Sequence, residues 1–415
     1  MNAARGIFCF LAAGFAVSGA ANEGFDRLDE ALTWTANHDR VRLHLSGTLD
    51  LEGYTFQDPA PALVHADSDT LFNPRLTLFL DAQLGAKLYG FVQARADHGF
   101  DPSAGAAEWR LDEYALRFTP RADGLVNFQV GKFGTVVGNW VARHHSWDNP
   151  FISAPLPYEN LTGIFDTAAA NSPGLLFLWS HVRPTIAGSE EYFERERVPV
   201  IWGPSYATGA AVTGVIGRAD YAFEVKNASL SSRPYSWDAG HTQWRHPTFS
   251  GRLGYRPDAS WYFGLSASTG TYLNPEAGAT LVPGRTLDDY REIVWAQDVG
   301  YAWHHVQLWA EAYEAAFEIP RVGRAMTIAY YVEAKYKFTP QFSGAVRWNQ
   351  QFYGDILDAA GQPVQWGRNV WRIDLAPNYR FTAQTEFKLQ YSLQAGSIGP
   401  RDRTRLLAAQ FILRF

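Results

Sequence analysis

The chain has 415 residues, of which 19% are charged and 15% aromatic, with a formal net charge of −6. Its single cysteine leaves no disulfide scaffold or thiolate metal cluster to build, and its mildly acidic balance gives no reason to expect a nucleic-acid partner. A mean hydropathy of −0.22, with no long apolar run after the N terminus, argues against membrane-spanning helices.

Residues 1–20 read as a signal peptide: Arg5 supplies the positive start, Ile7 to Val17 a short apolar stretch, and Ser18-Gly19-Ala20 the small residues expected before a cleavage site. Cys9 lies inside that leader, so the mature chain is expected to have no thiol. Residues 21–40 are expected to form a periplasmic N-terminal segment. There Gly24 to Trp34 predicts a short amphipathic helix with Phe25, Leu28 and Leu32 on one face.

From residue 41 to 415 the pattern changes to an alternation of period two. Leu43, Leu45, Leu49 and Leu51 interleave with His44, Ser46, Thr48, Asp50 and Glu52, and Ile328, Tyr330, Val332, Ala334 and Tyr336 interleave with Thr327, Glu333, Lys335 and Lys337. Alternate side chains of a strand face opposite ways, and runs of about ten such residues cross a hydrocarbon layer when tilted. Short connections (Thr119 to Gly124, Arg218 to Asp220, Arg256 to Ser260, His304-His305, Thr339 to Gln341, Thr382 to Gln384) alternate with long ones. Aromatics flank the short turns: Phe118, Tyr255, Phe338 and Phe381 before them, Trp261 and Phe342 after two of them. That is the pattern of an interfacial girdle. The expected fold is all-β: a transmembrane antiparallel β-barrel of about 16 strands, in the bacterial outer membrane. The stretch from Gly138 to Tyr206 is expected to be one long outer loop folding into the lumen; were Leu175 to His181 a barrel strand, the total would be 18.

The polar faces of the strands offer both signs of charge to the lumen, a mixture that usually pairs and braces the wall. The residues expected to line or constrict the channel are Arg95, Arg117, Lys132, Arg143, His144, His145, Arg252, Arg347 and Arg372. Arg143, His144 and His145, in a Trp-, His- and Pro-rich stretch, are the foremost candidates for touching a passing anion. No catalytic residue, cofactor or metal site is expected. His144-His145 and His304-His305 are adjacent pairs that make poor chelates, Ser146 after His145 is a weak start for a hydrolase, and no Gly-x-Ser-x-Gly occurs.

The chain ends with Ala409, Phe411, Leu413 and Phe415 alternating with other residues, which resembles the terminal strand of outer-membrane proteins. That likeness implies recognition by the barrel assembly machinery through Phe415. As a whole, residues 41–415 resemble the outer-membrane porins. More loosely, Val130-Gly131-Lys132-Phe133-Gly134-Thr135 with Gly138 is similar to a stretch of the phosphate-selective (O and P type) porin family, departing from it at Val136-Val137. The resemblance implies a homotrimer surrounded by outer-membrane lipid, a passive diffusion channel for small hydrophilic solutes with a leaning toward anions. The alternative function is a barrel that houses a periplasmic electron-transfer or other partner protein.

Overall fold

The computed structural model describes residues 20–38, 40–64, 66, 68–98, 107–182, 197–242, 244–397 and 401–415. The expected leader, apart from Ala20, lies outside the described residues. A helix, α1 (Ala20–Ala31), comes first, four residues earlier than the periodicity suggested. It is followed by a four-residue strand, Thr33–Ala36, that takes Trp34 out of the helix.

Sixteen antiparallel strands then close into a barrel. They are β1 (Val41–Phe56), β2 (Thr70–Leu84), β3 (Leu88–Asp97), β4 (Glu108–Phe118), β5 (Asn127–Phe133), β6 (Ala207–Ile216), β7 (Ala219–Lys226) and β8 (Thr248–Tyr255). They continue with β9 (Trp261–Thr271), β10 (Arg291–Trp303), β11 (Val306–Ile319), β12 (Gly323–Lys337), β13 (Phe342–Tyr353), β14 (Val370–Arg380), β15 (Thr385–Ala395) and β16 (Arg403–Arg414). Each strand pairs with the next, and β16 closes on β1 with Phe411 opposite Leu51. The short strand Thr33–Ala36 pairs with the start of β1 below that seam.

Closure removes every free edge, and the alternation sorts the side chains. Along β12, Ile328, Val332 and Tyr336 are exposed on the outside, whereas Thr327, Tyr331 and Glu333 are buried within. The outer surface also carries Phe128, Val130, Phe223, Leu253, Trp295 and Trp348, an apolar band suited to the hydrocarbon layer. At the short-turn end Phe118, Tyr255, Trp261, Phe338 and Phe342 are exposed, and Phe338 stacks on Phe342. One connection at the opposite end breaks the long-short alternation: residues 320–322 join β11 to β12 in three residues.

Leu175 to His181 is no strand. It lies in a helix, α2 (Pro173–His181), started by Pro173 and by the Ser172 hydroxyl accepting from the Leu175 N–H. The sixteen-strand count therefore stands over eighteen, and residues 134–206 form one connection between β5 and β6. Strand β5 is only 7 residues long, and its early end lets the chain turn into the lumen.

Candidate functional site: the lumen and its inward loop

Two glycines launch the loop. Gly131 (φ +142°) sits where a Cβ would strike the backbone of Tyr114 and Ala115, and Gly138 (φ +78°) where it would strike the hydroxyls of Tyr158 and Tyr313. Both conformations and both close approaches favour glycine. Between them the Thr135 hydroxyl donates to Glu224 at 2.7 Å and Gly134 N–H to Glu113 at 2.7 Å.

From Val137 onward the loop forms an apolar core with β10 to β12 and the connections that follow β9 and β13. Val137, Trp140, Tyr158, Ile164, Leu176, Val198 and Ile201 pack with Tyr272, Val294, Tyr313, Phe317, Tyr331 and Trp366. Its backbone is satisfied by wall side chains. The N–H groups of Asn139 and Trp140 donate to Glu311, and the Ile152 and Ser153 N–H groups to Gln390 at 2.6 and 3.0 Å. Lys388 donates to the carbonyls of Ser146 and Asn149, and Asn378 to that of Pro150 at 3.0 Å. A coil buried in a barrel has no ladder to bond to, so the strands supply its partners one by one.

The residues proposed from sequence fall into separate groups. Arg347 and Arg372 are fully buried: Arg347 pairs with Asp374 and donates to the Ser153 and Ala154 carbonyls, and Arg372 pairs with Asp374 and Glu159. Arg143 pairs with Glu333 at 2.6 Å, donates to the Tyr331 hydroxyl and lies over the Trp309 ring. Arg252 grips Asp298 with two 2.8 Å bonds and donates to the Gly138 carbonyl. These four hold the loop to the wall, as do Glu224, Glu311 and Lys226, while Glu292 holds residues 230 and 231 of the β7–β8 connection. Arg95 pairs with Asp112, within a run of alternating charges that includes Arg75, Asp50 and Glu52 on one side and Arg110 and Asp97 on the other.

Lys132 has the parity of the exposed Phe128 and Val130, and its ammonium donates to the Leu111 carbonyl and to Asp238. His144 and His145 lie tilted by 40° with ring centroids 4.0 Å apart; His144 bonds the Tyr206 hydroxyl and the Val141 carbonyl, and His145 meets Phe79 edge-on. Burial pushes His144 down to about 4 and His145 well below the usual histidine value, with the nearby Arg95 and Arg75 guanidinium groups acting in the same direction. Ser146 donates to Asp50 rather than to its histidine neighbour. Among the described residues no three His, Cys, Asp or Glu side chains are grouped to hold a metal.

On the short-turn side of the loop lies a cavity of about 850 Å³, lined by strand residues from Phe91 to Trp309 and by His144 and His145. Arg117 and Arg256 face it. Arg117 donates to Gln129 and lies over Tyr89, Arg256 lies over Tyr262, and neither has a carboxylate at ion-pair distance among the described residues. Sequence reasoning missed Arg256, which looked like part of a turn, and the buried acids Glu292 and Asp298, whose inward parity was nonetheless there to be read.

No protein-family model matches the chain, and no curated protein sequence matches it. Solved structures do. The anion-selective porin from Comamonas acidovorans is 10% identical with a TM-score of 0.55 over 90% of this chain and 100% of its own. OmpF of Salmonella typhi, in complex with daunomycin, is 12% identical with a TM-score of 0.54 over 92% of this chain and 100% of its own. The trimer form of OmpT, an outer-membrane protein of Vibrio cholerae, is 8% identical with a TM-score of 0.52 over 91% and 100%. The fold is the closed sixteen-strand antiparallel barrel that these outer-membrane proteins share. At these identities the likeness concerns the path of the chain, and the side chains described above are this protein's own.

Proposed function

We propose that the chain is a passive diffusion channel for small hydrophilic solutes, narrowed by its own β5–β6 loop and favouring anions. The observation that carries this reading is the pairing of a polar lumen with a partial plug. The loop is bonded to the wall at β1, β7, β8 and β11 to β15, and a cavity reaching the short-turn end lies beside it. The anion preference rests on Arg117 and Arg256. Arg143, Arg252, Arg347 and Arg372 are neutralised by carboxylates and act as anchors, whereas Arg117 and Arg256 face the cavity with no carboxylate at ion-pair distance among the described residues, although Glu113, Asp220 and Asp258 line it too. Lys132 contributes little to a phosphate-selective version of this reading, because its ammonium is taken up by Leu111 and Asp238.

A barrel that houses a partner protein fits less well, since the chain's own loop occupies the space such a partner would need. A homotrimer in outer-membrane lipid, delivered by the assembly machinery through the Phe415 end, completes the proposal. Reversal potentials across a salt gradient test the selectivity. The wild type should favour chloride over potassium, and Arg117→Ser with Arg256→Ser should reduce that preference at least two-fold. A cation preference in the wild type refutes the anion reading.

A further inference from the structure

Strand register places three inward positions in one row: Tyr262 of β9 opposite Gly300 of β10, and Gly300 opposite Trp309 of β11. The two aromatics therefore flank a position with no side chain. A Cβ built on Gly300 would lie 3.7 Å from Trp309 Cδ1, 3.7 Å from Asn139 Nδ2 and 3.8 Å from Tyr262 Cβ. The row is thus a slot with an aromatic on each side and the carboxamide of the inward loop over it. The rings are held in place by cations: Arg252 and Arg256 lie over Tyr262, and Arg143 lies over Trp309.

The groups around the slot are unspent. Arg256 has no carboxylate partner, and the side-chain amides of Asn139 and Gln307 make no hydrogen bond within the protein among the described residues. Gln307 stands next to the slot, opposite Ala302, and Asn139, Gln307, Arg256, Tyr262, Trp309 and Gly300 all line the 850 Å³ cavity. Three carboxylates line it too. Glu113 accepts from Gly134 and Asp258 from Ser260 and Trp261, which leaves Asp220 able to accept from a ligand hydroxyl.

We propose that this slot is a binding site for a sugar acid, a ring bearing both hydroxyls and a carboxylate. The ring would rest in the cavity at the mouth of the slot, its C–H edges against Tyr262 and Trp309, where no side chain projects from Gly300. The carboxylate would take the planar fork of Arg256, and the hydroxyls would bond Asn139, Gln307 and Asp220. A bare inorganic anion would use only the first of these groups and a neutral sugar only the others, so the site discriminates by requiring both. The proposal rests on the channel reading only for how the solute reaches the slot.

Equilibrium titration of the refolded, detergent-solubilised barrel with glucuronate, followed by tryptophan fluorescence and calorimetry, tests it. Saturable binding is expected, at least ten-fold tighter than for glucose or acetate. Gly300→Leu, which fills the slot, and Arg256→Gln, which removes the fork at an exposed turn, should each weaken binding at least ten-fold. Arg121→Gln on a neighbouring turn should not. Absence of saturable binding, equal affinity for glucose, or unchanged affinity in Arg256→Gln overturns the proposal. Stepwise conductance without glucuronate binding overturns the slot and leaves the channel reading standing. Binding by a barrel that never conducts supports the slot and removes the channel reading instead.

Discussion

Arg372 shows how a single buried charge governs the lumen. Its guanidinium is fully buried, paired with Asp374 and Glu159, and bonded to the carbonyls of Pro61 and Ala154. A charge is expensive to remove from water and tolerable only when so completely compensated, so losing one partner of the set leaves the others stranded. Arg372→Ala should cost roughly 3–5 kcal/mol by that logic, read as a lower temperature at which the folded barrel unfolds on a gel. His144 gives the loop a pH dependence. Its value in the folded protein lies below that of the free imidazole, so the unfolded loop binds more protons. Stability from His144 is then complete above about pH 6.5 and is lost as pH falls toward about 4. Open-channel current noise should rise across that window, and His144→Gln should weaken the dependence, leaving the part that comes from His145.

At the scale of elements, strands and loop differ in how far residue type reveals them. Strands β12 and β14 could be read directly, because a two-faced wall writes its inside and outside into alternate residues. The inward course of residues 134–206 was legible only as an interruption of that rhythm. Its attachments through backbone carbonyls were not legible, for a physical reason. Lys388, Asn378 and Arg372 bind backbone carbonyls of residues 146–154, and a carbonyl carries no residue-type signal. The Tyr262–Gly300–Trp309 row depends on register across three strands, which the pattern of any one strand leaves open. The closing seam yields a prediction of its own. Gly47 exchanges backbone hydrogen bonds with Phe415, and a Cβ there would lie 2.6 Å from the Phe415 ring and 2.9 Å from the Thr77 carbonyl. Gly47→Val should displace the terminal ring and slow folding of urea-denatured protein into lipid vesicles several-fold, leaving the polar lumen unchanged.

For the whole molecule, the barrel settles two opposed demands by geometry. The outside must be apolar all round, and the inside must hold charges without stranding them. The inward loop meets much of the second demand along β11 to β15, where Glu311, Glu333, Arg347, Arg372 and Lys388 pair with one another or bond to the loop. A cavity lined by Arg117 and Arg256 lies on the short-turn side of the loop. That division of the lumen is the central claim, and single-channel recording of the refolded protein in planar bilayers tests it most directly. Discrete, stepwise conductance that is small for a sixteen-strand barrel is the predicted result. Folded, heat-modifiable protein that inserts into the bilayer and produces no steps would contradict it.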